Sequence, residues 1–262
     1  MYKNIVTEID SGVGIITLNR ADRHNAFDDV LVQELVRALG VMGRDDSVRV
    51  VVLSSTGKSF CAGADLGWMR DAGGLSLEEN QRDARVMAEM LKRIATIPKP
   101  TVARVQGPAY GGGVGLVAAC DIAVATFEAQ FCFSEVRLGL IPAVISPYVI
   151  AAMGPRHARR YMLTGEAFSA AEAYRVGLVH EMVADDAALD DAVGQIVDGL
   201  LENGSRALAE CKDLIRAVVN RPLDAELMDD TSRRIARARA SDEGREGVAA
   251  FLDKRRPSWA GE

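Results

Sequence analysis

The chain has no CxxC pair: its four cysteines, Cys61, Cys120, Cys132 and Cys211, are scattered over 262 residues. That spacing offers neither a zinc ribbon nor a thiol–disulfide redox motif, and lone thiols of this kind suit a reducing cytoplasm. No uncharged apolar run approaches the ~20 residues that a membrane-spanning helix needs. The opening stretch MYKNIVTEID carries no secretory apolar segment. A basic excess is missing too. With 31 Lys and Arg against 37 Asp and Glu, the net charge is -6, the wrong sign for a protein built mainly to hold nucleic acid. These absences favour a cytoplasmic protein with no membrane or nucleic-acid partner. What is present, 48% hydrophobic and 26% charged residues, is ordinary for a globular chain. Its length suits one large α/β domain, or such a domain with a helical appendage.

Tyr2–Ile9 and Val13–Asn19 read as strands of a hairpin turned at DSG. In AFDDVLVQELVRALGVMG, the residues Phe27, Val30, Leu31, Leu35, Ala38, Leu39 and Met42 fall at helical spacing, with acids in the first turn. VRVVVLSS suits a strand buried on both faces. SLEE, Ser76–Glu79, is a capping box that predicts a long helix to about Ile97, where PKP stops it. Thr101–Val105 and DIAVAT read as further strands, and SAAE, Ser169–Glu172, as a second capping box. Beyond about Asp185 nearly everything reads helical. We therefore expect a strand–helix alternating core over residues 1–185, with a parallel sheet covered by helices, and a helical tail over 186–262.

The stretch GGGVGL, Gly111–Leu116, needs a reason, because glycine is costly inside regular structure. Gly113, Gly115 and Ala118 fit a GxGxxA dinucleotide fingerprint, with Glu135 about 20 residues on, but the fingerprint asks for its acid at the end of the next strand and DIAVAT ends without one. A second reading takes the glycines as a helix start that presents free N–H groups to a ligand oxygen. CAGAD, Cys61–Asp65, is a similar irregular stretch after a buried strand. Two such loops at one sheet edge can aim two amides at one oxygen, an oxyanion hole in which a single donor is worth about 3–4 kcal/mol of barrier. On glycine count alone, two ordinary tight turns account for the same residues.

Taken together, SFCAGADL, GPAYGGGVGLVAACDI and FSEVRLGLIP resemble the crotonase family, the enoyl-CoA hydratases and isomerases, and the resemblance runs from ITLNRADRHNAF to GVAAFLDKRR. The finer pattern GVGLVAACDIAVA…SEVRLGLIPAVISPYV is most similar to the methylglutaconyl-CoA hydratase branch, which serves leucine degradation. The resemblance implies an α/β spiral of β-β-α turns with a C-terminal helical trimerisation region, assembled as a homotrimer or as a hexamer built from two trimers. It implies a coenzyme A thioester as substrate, with no cofactor and no metal.

Carried over residue by residue, the resemblance places the oxyanion hole at the N–H groups of Ala64 and Gly112, with Glu135 as proton carrier. It places CoA contacts at Arg23, His24, Ala26, Ala62, Ala64, Asp65, Leu66, Gly67 and Gly112, and at Phe251 and Lys254 reaching a neighbouring subunit. Two-glutamate hydratases carry a water-orienting carboxylate where this chain has Gly115. The implied activity is hydration of a 2-enoyl-CoA, with 3-methylglutaconyl-CoA as the expected substrate. A double-bond isomerase using the same glutamate and an RNA-binding protein are the alternatives, and Gly115→Glu is expected to help a linear substrate provided the new side chain fits.

Other residues read as structural. Asp121 falls at a helix–strand junction, and Asp65 also reads as a loop-fixing acid. His157, Arg156, Arg159 and Arg160 lie on a basic helix face, and His180 at a strand end. Glu135 also reads as a surface acid paired with Arg137. For a distal substrate carboxylate the candidates are Arg70, Arg137 and Tyr148.

Overall fold

The computed structural model describes residues 2–260. β1 (Ile5–Asp10) and β2 (Val13–Leu18) form the expected hairpin. Its two turn residues, Ser11 and Gly12, both have positive φ, 48° and 87°, the twist-matched geometry of a two-residue hairpin loop. From β2 onward the sheet is parallel: β3 (Val50–Ser55), β4 (Thr101–Val105), β6 (Ile122–Thr126) and β9 (Glu181–Val183) follow in the order β1-β2-β3-β4-β6-β9.

Strand alternation splits the apolar run of β3 between two cores. Val51 and Leu53 face the larger one, with α1 (Asp29–Arg44), α3 (Leu77–Thr96) and α4 (Gly112–Ala119). Val50 and Val52 face the smaller one, with Val102, Val124 and the residues Leu189, Val193 and Val197 of α7 (Asp186–Leu201). Both faces are covered, so the strand reads as continuously hydrophobic rather than alternating.

A second, small sheet runs β5 (Ala109–Tyr110), β7 (Gln130–Cys132), β8 (Phe168–Ser169). Its strands are too short to leave a periodic signal. Cys61 bridges Ala109, and Tyr110 pairs with Cys132, all in parallel. Thus three successive passes, the segments after β3, β4 and β6, each add one rung and then turn into helix: α2 (Leu66–Ala72) and α3, then α4, then α5 (Ser146–Thr164). This is a spiral of β-β-α turns. α5 changes direction at Gly154, whose φ of 73° and ψ of 160° precede Pro155.

The first capping box behaves as read, and the second is only half made, because the Glu172 carboxylate turns to Tyr161 and Arg175 instead of Ser169 N. Ser76 accepts from Glu79 N while Glu79 reaches back to Ser76 N, and Ser169 accepts from Glu172 N. One expectation needs correcting: Phe27 is not a helical core residue. α1 is N-capped by Asp28, and Phe27 lies before it, paired with Ala64 and fully buried. After α6 (Ala170–Arg175) and α7, the chain ends in α8 (Ser205–Val218), α9 (Ala225–Ala240) and α10 (Asp242–Leu252).

Candidate active site

The segment RADRHNAF acts as a strap for the loop that follows β3. Asn25 is fully buried and donates to the carbonyls of Thr56 (2.8 Å) and Ser59 (2.9 Å), while its own carbonyl accepts from Arg20 N. Ala62 N donates to His24 O, Phe27 N to Gly63 O, and Asp65 N to Phe27 O, at 2.7–2.9 Å. Arg20 bridges Asp28 and Asp65 at 3.1 Å each and donates to Ala26 O.

Asp65 is thus a loop-fixing acid. It also caps α2 through Gly67 N and Trp68 N. Burial works against its charge, but the Gly67 and Trp68 N–H groups and Arg20 outweigh that and hold its carboxyl below the usual range. These bonds hold the loop in one place.

The strapped loop lies directly on the start of α4. Gly63 has φ 86°, and a Cβ there would stand 2.8 Å from Tyr110 O and 3.6 Å from Gly112 N. Only glycine allows both the conformation and the approach. A Cβ on Gly113 would meet Cys61 O at 2.2 Å, and one on Gly112 would meet the Phe27 ring at 2.7 Å. Among the described residues, neither Ala64 N nor Gly112 N donates a hydrogen bond. Two free amides, Ala64 N just after Gly63 and Gly112 N at a helix start, therefore flank this close approach. A helix N-terminus also favours negative charge.

Glu135 arrives beside them through the small sheet. Tyr110 pairs with Cys132, and Gly111 N donates to Cys132 O at 2.8 Å. The residue just past β5 therefore faces the one-turn 3-10 segment Glu135–Leu138 that follows β7. A Cβ on Gly111 would lie 3.0 Å from Glu135 Oε1. Glu135 Oε2 is buried without a hydrogen-bond partner among the described residues. Burial pushes the Glu135 carboxyl above its ordinary value, as expected for an acid whose charged form has lost water. The pairing with Arg137 does not form. Arg137 instead lies over Gly165, whose Cβ would be 3.2 Å from its Nε.

The remaining sequence candidates divide between the strap with its loop and places away from it. His24 adopts a left-handed φ of 52°, with Nδ1 3.0 Å from Ser59 Oγ, and Arg23 is exposed beside it. Ala26 is buried, Ala62 half-buried, and Leu66 opens to solvent just before Gly67. Phe251 and Lys254 lie on and after α10, which packs on α8 and α9. Tyr148 lines a separate groove of about 590 Å³ with Ala118, Asp121 and Arg216. Asp121 there holds Lys212 (2.6 Å) and Thr101, a structural junction. Missed by sequence reading were Arg20, Asn25, Phe27 and Ile145. Only the polar pair in LNRADRHN carried any signal.

The chain matches the enoyl-CoA hydratase/isomerase family over residues 8–262. It is 35% identical over 247 residues to enoyl-CoA hydratase ACTT6 of Alternaria alternata, covering 92% of this chain and 78% of that one. It is 33% identical over 264 residues to the 1,2-epoxyphenylacetyl-CoA isomerase of Escherichia coli, covering 100% of each. An enoyl-CoA hydratase of Shewanella pealeana superposes with a TM-score of 0.95 at 43% identity, covering 98% of this chain and 96% of that one. With the spiral, the paired loops and this similarity along its whole length, the chain belongs to the enoyl-CoA hydratase/isomerase family.

Proposed function

We propose that the chain hydrates 2-enoyl-CoA thioesters to 3-hydroxyacyl-CoA, and dehydrates them in reverse, with 3-methylglutaconyl-CoA or a close branched relative as preferred substrate. One observation carries this reading: a buried, partnerless carboxylate oxygen on Glu135 beside Gly111, next to the two free amides of Gly112 and Ala64. The amides receive the thioester oxygen as it gains charge in the enolate. In hydration, Glu135 takes a proton from water as the water oxygen bonds to carbon 3 and the double bond opens. Glu135 then returns that proton to carbon 2, so one water is added and the carboxylate is regenerated.

Branching at carbon 3 compensates for the carboxylate missing at Gly115. A fully substituted carbon 3 tolerates positive charge better as its C–O bond forms or breaks, and the substrate's own distal carboxylate sits close enough to hold a proton. Crotonyl-CoA offers neither aid. Its kcat/KM should fall at least about tenfold below that of 3-methylglutaconyl-CoA, roughly 1.4 kcal/mol in barrier. Loss of the conjugated thioester absorbance measures both. Equal values would remove the substrate's assistance from the mechanism.

The single carboxylate also favours a second reading, a double-bond isomerase in which Glu135 moves the proton alone. A 3-enoyl-CoA would then gain conjugated absorbance with no water incorporated, which separates the two. As for assembly, we propose a homotrimer, alone or paired into a hexamer, in which Phe251 and Lys254 of one copy reach CoA bound to the next.

A further inference from the structure

Gly115 lies in α4 one turn beyond Gly111, and its space is already taken. A Cβ built there would lie 2.2 Å from Ile145 Cγ2 and 2.9 Å from Ile145 Cβ, with Leu91 Cδ1 at 3.7 Å. Packed carbons sit about 3.5–4.0 Å apart. The overlap includes the Ile145 Cβ itself, so no rotation of that side chain relieves it. Nor can the residue move away easily. Ile145 is 3% exposed, and its carbonyl accepts from Tyr148 N and Val149 N at the start of α5, at 3.1 Å each. Gly115→Glu alone, expected to help a linear substrate only if the side chain fits, therefore fails that condition.

We infer that Ile145 is the residue that sets substrate choice at this site. It fills the volume an acid at position 115 would need, and so confines the reaction to the one carboxylate of Glu135 and to substrates that assist at carbon 3. This rests on the reading of Glu135 as proton carrier. The nearest atoms around that space, from Ile145 and Leu91, are all carbon, so they offer nothing to orient water there. A 3-branched enoyl-CoA with its own distal carboxylate tolerates such a wall, and a linear enoyl-CoA does not.

The test has a packing arm and a catalytic arm. In the first, Gly115→Ala is made in the wild-type and Ile145→Gly backgrounds and melting temperatures are compared. A large drop in wild type and a small one beside Ile145→Gly is expected. Equal drops would overturn the proposal. In the second, the ratio of kcat/KM for 3-methylglutaconyl-CoA to that for crotonyl-CoA is measured for Ile145→Gly alone and combined with Gly115→Glu. The added acid should lower the ratio at least about tenfold, through a gain on crotonyl-CoA. An unchanged ratio in a folded double variant would overturn the proposal, as would a Gly115→Glu single variant that melts like wild type. If the glutamate pair does not fold, Gly115→Asp with Ile145→Gly reads the same ratio with a shorter acid. If the wild type hydrates neither thioester, the reading of the reaction fails and the specificity role falls with it. The packing arm still decides whether Ile145 is the barrier.

Discussion

At the residue scale, Glu135 carries an electrostatic cost that its proposed role requires. Oε2 is buried without a partner, and burial raises the carboxyl above its ordinary value of 4.5. An acid whose folded value is raised binds its proton more tightly in the native state. Its penalty is therefore absent below about pH 4.5 and grows as pH rises through the folded value. Glu135→Gln replaces a buried charge with a neutral amide of the same shape. At pH 7 the variant should melt above the wild type, and the gap should close in acid; a lower melting temperature at pH 7 would contradict the burial argument. The same change should cut kcat by roughly 10²-fold or more while leaving CoA-ester binding in place, the scale of lost acid–base catalysis. Steady-state kinetics with a binding titration separate the two. Gained stability with lost activity is the trade expected of a strained functional group.

At the scale of elements, α4 is held by what its glycines lack. Its seat on the 61–65 loop depends on Gly113, where a Cβ would meet Cys61 O at 2.2 Å. A backbone carbonyl cannot swing aside as a side-chain tip can. Gly113→Ala should cost about 1–3 kcal/mol, the usual range for overpacking, read as a lowered melting temperature. It should also lower kcat/KM by spreading the Ala64 and Gly112 amides, even though Gly113 donates to nothing in the proposed chemistry. A variant that keeps full activity would mean that the two loops need not be in register.

For the whole molecule, the tail bears on assembly. Val248, Phe251 and Leu252 share one face of α10 by their spacing, and they are 59%, 81% and 71% exposed. The proposed trimer would cover such an apolar strip. Lys254→Ala should raise KM for several acyl-CoAs more than it changes kcat, because it would lose a contact made equally in ground and transition states. An unmoved KM would detach the tail from the ligand site. Native mass measured alongside tells whether assembly itself has changed.

Much of this was legible one segment at a time. The hairpin at Ser11 and Gly12, the helix opened by the Ser76–Glu79 box and the buried run Val50–Leu53 follow from turn chemistry, capping and the two side-chain periods, which act between near neighbours in the chain. The glycines of Gly111–Gly115 announced a close approach, though not what approaches. Only the tertiary structure seated Ile145 on Gly115, Phe27 against Gly112 and Glu135 beside Gly111, and left the Glu135 carboxylate without the Arg137 partner its neighbour in sequence offered. A local pattern records that a face is apolar or that a backbone must be bare. The atom that fills the opposing space comes from another turn of the spiral, and packing of the whole core selects it.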